Sequence, residues 1–229
     1  MAHNLQIDVY VAPAIPIATN HPDESKRWFS PISCSLIHCP TSAVLVDTSP
    51  TIALSEDLAE WIKKTATGKK LRYIYTTHTH GDHFLAKCVA TSTVIAEYQT
   101  IPEPLPPNGE FEIDGHRCIG VDAPHSDTEA TSFLHVPSLR LVVCGDIVYG
   151  DCYQHLGEAS TAEKRKKWLQ SLDQIEALDP HIVIPGHKRG ATRKYILAFE
   201  EELGSGKSVE ELEEAMLSCK SSVRDLSVV

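Results

Sequence analysis

The segment His78-Thr79-His80-Gly81-Asp82-His83 constrains this chain more than any other, because it sets four metal-competent side chains within six residues directly after the apolar run Leu71 to Tyr75. A β-rich run that empties into such a segment delivers its histidines at a strand's carboxyl end, where α/β folds gather their chemistry. In an extended loop there, alternation turns His78 and His80 to one side, able to grip one ion. Asp82 and His83 are left to face a neighbouring position. Imidazole and carboxylate donors suit zinc and, less selectively, iron or manganese. Gly81 is expected to let the backbone turn sharply between the two pairs. A polar surface loop that happens to be rich in histidine is the competing reading, and the order of the residues and their place after a strand speak against it.

Periodicity frames this segment. Gln6 to Val11, Ile32 to His38 and Ala43 to Val46 are short β-rich runs. Ser55 to Thr65 has helical spacing, with Leu54, Leu58, Trp61 and Ile62 on one apolar face. Asp114-Gly115 between Glu110 to Ile113 and His116 to Val121 signals a tight hairpin, and Ser132 to Val136 pairs with Arg140 to Cys144 through Pro137-Ser138. Ala162 to Leu178 reads as a helix ended by Asp179-Pro180, with Lys164-Arg165-Lys166-Lys167 as its solvated face. Ile182 to Ile184 is a last short strand leading into Pro185-Gly186-His187. Two helices, at about residues 191–220, close the chain, the second with the Ser208/Glu211 pattern of a capping box. At 229 residues and 42% hydrophobic content, residues 1–229 suit one domain around one substantial core.

The His78 to His83 loop resembles the HxHxDH signature of the metallo-β-lactamase superfamily, and the resemblance runs from about residue 32 to 190. Asp47, after Val44-Leu45-Val46, resembles the family's first motif, an aspartate that braces the histidine loop by hydrogen bonding. His125, Asp146 and His187 resemble the third, fourth and fifth motifs, in the family's order. The resemblance implies an α/β fold, a four-layer αββα sandwich. It implies one metal held by His78, His80 and His125, a second held by Asp82, His83 and His187, and Asp146 bridging both. Each ligand follows a β-rich run and is expected in a loop. The implied cofactors are two zinc ions, with iron or manganese as alternatives, and the implied chemistry is attack of a metal-bridging hydroxide on a substrate carbonyl. Asp82 is expected to add a catalytic role by orienting the nucleophile or relaying a proton. Tyr149, Tyr153 and His155, which closely follow Asp146, are candidates to donate a hydrogen bond to substrate, with loop packing as the plain alternative. Trp28 and Phe29 suit core packing better than a pocket wall.

Composition narrows the substrate. A formal charge of -10 argues against a nucleic-acid backbone as partner. No apolar stretch reaches the length of a membrane span, and the first ten residues lack the layout of a secretory signal. Seven scattered cysteines without a CxxC pair read as reduced thiols in a cytoplasmic protein, with Cys34, Cys118 and Cys144 as small buried hydrophobes. Cys152 lies near enough to the implied site to be watched. Only 42 residues follow His187, which weakens a glyoxalase II-like thioester hydrolase carrying an appended helical domain. An aspartate at position 146, where several secreted β-lactamases use cysteine, makes a periplasmic antibiotic-degrading role a poor fit. The leading expectation is therefore a hydrolase opening a small cyclic amide or ester, a lactam or lactone. The alternatives are the thioester hydrolase and a mononuclear-iron persulfide dioxygenase. No oligomeric state follows from the sequence.

Overall fold

Three apolar clusters, not one, organise the chain, and they are separated by two sheets. In the computed structural model, which describes residues 5–24, 27–85, 103–150 and 154–187, the elements run in order as follows. Gln6–Ala12 (β1), Ile15–Pro16 (β2), Trp28–Phe29 (β3), Ile32–His38 (β4) and Ser42–Val46 (β5) lead to the helix Ile52–Thr65 (α1) and the strand Lys70–Tyr75 (β6). The short helix Gly81–Phe84 (α2) follows, then Glu110–Ile113 (β7), His116–Ala123 (β8), Thr131–Val136 (β9) and Leu141–Tyr149 (β10). Helix Ala162–Ala177 (α3) and strand Ile182–His187 (β11) complete the described elements.

Strands β1, β4, β5 and β6 form one sheet and β7 to β11 the other, joined at the single register pair His187↔Ile32. Alternation along each strand sends side chains to opposite faces. Leu36 and Leu45 therefore pack with Leu54, Leu58 and Ile62 of α1, while Ile37, Val44 and Val46 meet Leu134, Val136, Leu141, Val143 and Ile184 across the middle. On the far face Val142, Cys144 and Ile147 pack under Trp168, Leu172 and Ile175 of α3. The layers are thus helix, sheet, sheet, helix, the αββα sandwich. Covering both faces explains why β4, β5 and β10 are buried end to end and read as continuous apolar runs. Fully burying each Leu, Ile or Phe stabilises by about 1.5–3 kcal/mol, so the three clusters and not the short ladders hold the layers together. The parallel pairs β5/β6 and β10/β11 are each bridged by one of the long helices, as a parallel crossover requires.

The expected strands are present, with informative departures. Helix α1 begins at Ile52, not Ser55, because the Thr51 side chain accepts the Leu54 N–H at 3.3 Å and caps it. Asp114 and Gly115 take φ 47° and 82°, the left-handed pair that a two-residue hairpin needs. Strand β10 continues past Cys144 to Tyr149, and β11 runs on to His187, so Asp146 and His187 lie in strands and not in loops. The β10/β11 register slips on either side of Gly145, whose φ is +52°, and such a bulge re-aims the following side chain. Trp28 is not in the core: it is 55% exposed, on the outlying β2/β3 ribbon. Arg165 is not part of a solvated face, since it is buried and donates to the Ala159 carbonyl at 3.2 Å. The expected C-terminal helices at residues 191–220, Tyr153, and Cys88, Cys152 and Cys219 lie outside the described residues. Among the described residues, no helix is long and apolar enough to cross a membrane.

Candidate metal centre

The corner where the two sheets meet is also where the ligand motifs converge. His187 ends β11 at its one contact with β4, and His78, just beyond β6 of the first sheet, bridges to Thr131 at the start of β9 in the second. The aspartate after β5 secures this corner. Asp47 Oδ1 accepts the Thr77 N–H at 2.8 Å, and its Oδ2 accepts the Thr77 hydroxyl at 2.8 Å and the His83 Nδ1 proton at 2.9 Å. The brace that the resemblance implied is therefore present. Thr48 adds to it, since its N–H and its hydroxyl both donate to the His83 carbonyl, at 2.9 and 3.1 Å.

Each of four histidines has one ring nitrogen committed to a supporting group and turns the other towards the carboxylates. His78 Nδ1 lies 3.0 Å from the Thr77 hydroxyl, His83 Nδ1 2.9 Å from Asp47, and His187 Nδ1 2.7 Å from Ser30 Oγ and 3.0 Å from the Pro31 carbonyl. His80 is reversed, with Nε2 3.1 Å from Glu158 Oε1 and Nδ1 turned inward. The inward atoms fall into two groups, His78, His80, Asp127 and Asp146 in one and Asp82, His83 and His187 in the other. Asp146 sits between them, its carboxylate 3.3 Å from His83 Nε2, 3.2 Å from His187 Nε2 and 3.9 Å from His78 Nε2. Outer nitrogen anchored and inner nitrogen free is how proteins fix the tautomer of a metal-binding imidazole.

Charge and hydrogen-bond accounting point the same way. Among the described residues, the ion-pair partners of Asp47, Asp82, Asp127 and Asp146 are all histidines, with no lysine or arginine. Buried carboxylates on this scale need cations. Nε2 of His78, His83 and His125, Oδ2 of Asp127 and Oδ1 of Asp146 are buried with no hydrogen-bond partner, an arrangement that native proteins avoid unless something else satisfies the atoms. The donor set fits divalent ions of the zinc type. In the metal-free protein, histidine protons stand in for them. The contact with Asp127 raises His80 to about 9, and Asp146 holds His187 at about 9 against its burial. Burial would raise the Asp146 carboxyl, but His187 and His83 hold it well below the usual carboxylate range.

Of the seven expected ligands the structure brings six into these two groups: His78, His80, Asp82, His83, Asp146 and His187. His125 belongs to neither group. Its N–H and carbonyl are both clasped by the Ser171 hydroxyl of α3, at 3.3 and 2.6 Å, its ring Nε2 is buried without a hydrogen-bond partner, and Asp127 is the fourth member of the first group. Tyr149 is buried, donates to Asp146 Oδ2 at 2.7 Å and stacks on the His187 ring, so its hydroxyl is committed to the centre and not turned to open space. His155 is exposed beside His80, ring centroids 5.8 Å apart. Phe29 meets the His187 ring edge-on. Sequence reasoning passed over Asp127, Glu158 and Ser30. Asp127 had one readable signal, a carboxylate two residues beyond a motif histidine, whereas Glu158 and Ser30 reach the site only through tertiary packing.

The Metallo-beta-lactamase superfamily model matches residues 92–187. Solved structures share the fold across most of both chains. One is a metallo-beta-lactamase from Pontibacter korlensis, TM-score 0.64 at 15% identity, covering 90% of this chain and 97% of that one. Another is FIM-1 from Pseudomonas aeruginosa in a mono-zinc form, TM-score 0.61 at 14% identity, covering 95% and 94%. A third is a metallo-beta-lactamase from Hirschia baltica, TM-score 0.59 at 16% identity, covering 87% and 94%. Comparison with curated proteins finds no match. The matched segment and the shared fold make the chain similar to the metallo-beta-lactamase superfamily.

Proposed function

We propose that this protein is a dinuclear metal-dependent hydrolase that opens a small cyclic amide or ester, a lactam or lactone, in a reducing, cytoplasmic setting. The observation that carries the reading is the paired set of inward donors around Asp146, in which Nε2 of His78 and His83, Oδ2 of Asp127 and Oδ1 of Asp146 are buried without a hydrogen-bond partner. Two zinc ions held by these groups would supply an activated water and polarise the scissile carbonyl. His78 and His80 belong to one site, Asp82, His83 and His187 to the other, and Asp146 reaches both.

The protein's own side chains do the remaining work. Tyr149 holds the Asp146 carboxylate in place through its hydroxyl. Asp82 is only partly buried, with Oδ2 3.3 Å from His187 Nε2, so it can take up a proton from the solvent side. His80, Asp82, Glu158 and His155 form the accessible rim, where the Glu158 side chain is 48% exposed. A substrate entering there passes His155, which can deliver a proton to the departing atom. The structural relatives reported above are described as lactamases, which supports a cyclic amide, and the free, buried Cys34, Cys39, Cys118 and Cys144 suit a reducing compartment.

Plasma emission spectrometry on protein purified without added metal, paired with rates on lactam, lactone and thioester substrates, tests this. About two zinc ions per chain with turnover of a cyclic amide or ester is expected, from the two donor groups and their zinc-type chemistry. Faster thioester hydrolysis refutes the substrate class, and one iron without hydrolysis refutes the dinuclear hydrolase in favour of the dioxygenase reading.

A further inference from the structure

Of the four histidines in the two donor groups, His80 is the one least held by packing. Its side chain is 26% exposed, against 0% for His78 and His83 and 5% for His187. A half-turn of its ring about the Cβ–Cγ bond would put a carbon where Nδ1 faces the first group. On the solvent side, Glu158 stands against that half-turn. Its Oε1 lies 3.1 Å from His80 Nε2, and its Oε2 accepts the Thr128 hydroxyl at 2.9 Å. One carboxylate thus spans the His80 segment beyond β6 and the Thr128 segment beyond β8.

Glu158 is itself set in place by α3. Its carbonyl accepts a proton from Lys164 Nζ at 2.8 Å, and the next carbonyl, of Ala159, accepts from Arg165 Nη1 at 3.2 Å. Leu156 and Ala159, on either side of it, are buried in the cluster under Trp168. The backbone is therefore anchored to a packed element while the carboxylate reaches out to the rim.

We propose that Glu158 is a positioning residue for the metal centre, one that fixes the His80 ring with Nδ1 turned to the first donor group. The inference rests on the metal-centre reading above. A solvent-exposed ion pair is the plain alternative, and such pairs contribute little. The two-point grip argues against it, because each oxygen serves a different segment. A carboxylate behind an imidazole is also how proteins orient that ring towards a metal.

Zinc competition against a chromophoric chelator, read for each ion in turn, tests this in wild type, Glu158→Ala and Glu158→Gln. The backbone at residue 158 is held independently of its side chain, so both variants should fold, and circular dichroism checks that they do. E158A should lose about 10–100-fold in affinity for one ion and leave the other near wild type. E158Q keeps an amide oxygen for His80 Nε2 and an NH2 group that can donate to the Thr128 oxygen, so it should recover most of that loss. E158A with both affinities unchanged, or both lowered together, overturns the inference, and so does E158Q that binds as weakly as E158A. Wild-type protein that takes up no zinc overturns the metal-centre reading as well.

Discussion

Replacing Asp47 by asparagine isolates the brace from the ligands. Asparagine is the right probe because Asp47 has φ 60°, a left-handed conformation that Asn tolerates and Ala does not. The amide oxygen can keep the Thr77 N–H bond, but Oδ2 now receives both the Thr77 hydroxyl and the His83 Nδ1 proton. An NH2 group in that position accepts neither. Two hydrogen bonds to a charged group, at about 1.5–3 kcal/mol each, put the destabilisation at roughly 3–6 kcal/mol, a large share of the roughly 5–15 kcal/mol typical of a whole domain. His83 also loses the partner that fixes its tautomer, so affinity at the second site should fall by about 10–100-fold. Urea melts in the presence of a chelator read the first effect, and competition with a metal indicator reads the second. A D47N variant within about 1 kcal/mol of wild type, the net worth of one ordinary hydrogen bond, and with unchanged metal affinity, would refute the reasoning.

Two further outcomes follow from the same geometry. His80 and His187 stand at about 9 in the metal-free protein against 6.5 for free histidine. Their ion pairs therefore stabilise the metal-free fold fully below pH 6.5 and lose that contribution as pH rises through about 9. Metal must displace those protons, so its affinity should climb over the same window while the metal-free melting temperature falls; titration calorimetry in buffers of different ionisation enthalpy should show proton release at pH 7, and its absence would contradict the assignment. At Gly186 an added Cβ would lie 2.0 Å from Asp146 Oδ1 and 2.7 Å from the Gly145 carbonyl carbon. Gly186→Ala should cost about 1–3 kcal/mol by overpacking and displace the shared carboxylate, so metal analysis should show fewer than two ions bound; unchanged stoichiometry would count against Asp146 as the shared ligand.

Most of the fold was legible because both sheets are covered on both faces. Continuous apolar runs such as Ile32 to His38 could be little else than buried strands, and the helical spacing of Leu54, Leu58 and Ile62 could be read without knowing what it packed against. The strand ends were not legible. Gly145-Asp146 and Pro185-Gly186 look like turn signals, yet parallel pairing of β10 with β11 carries both segments on as strand, with a bulge. That override depends on a neighbour distant in sequence, which no local pattern encodes. The same reason hid Ser30, which reaches His187 from 157 residues away. Motif histidines were legible because their chemistry is local, whereas Glu158 reaches His80 from 78 residues away.

The features that local rules would penalise lie together at this corner. Asp47 at φ 60°, Gly145 at φ +52° with Thr77 pressed against it, and the unpartnered atoms of His78, His83 and Asp146 all surround the junction of the two sheets. Left-handed backbone and orphaned polar groups each cost on the order of 1–3 kcal/mol and persist only where the surroundings determine them. The apolar clusters supply that determination from around the corner, and Tyr149, packed in the cluster under α3, reaches into it by donating to Asp146. The layers can tolerate hydrophobic exchange, but a change of one methyl group at Gly186 or one oxygen at Asp47 acts on the site directly.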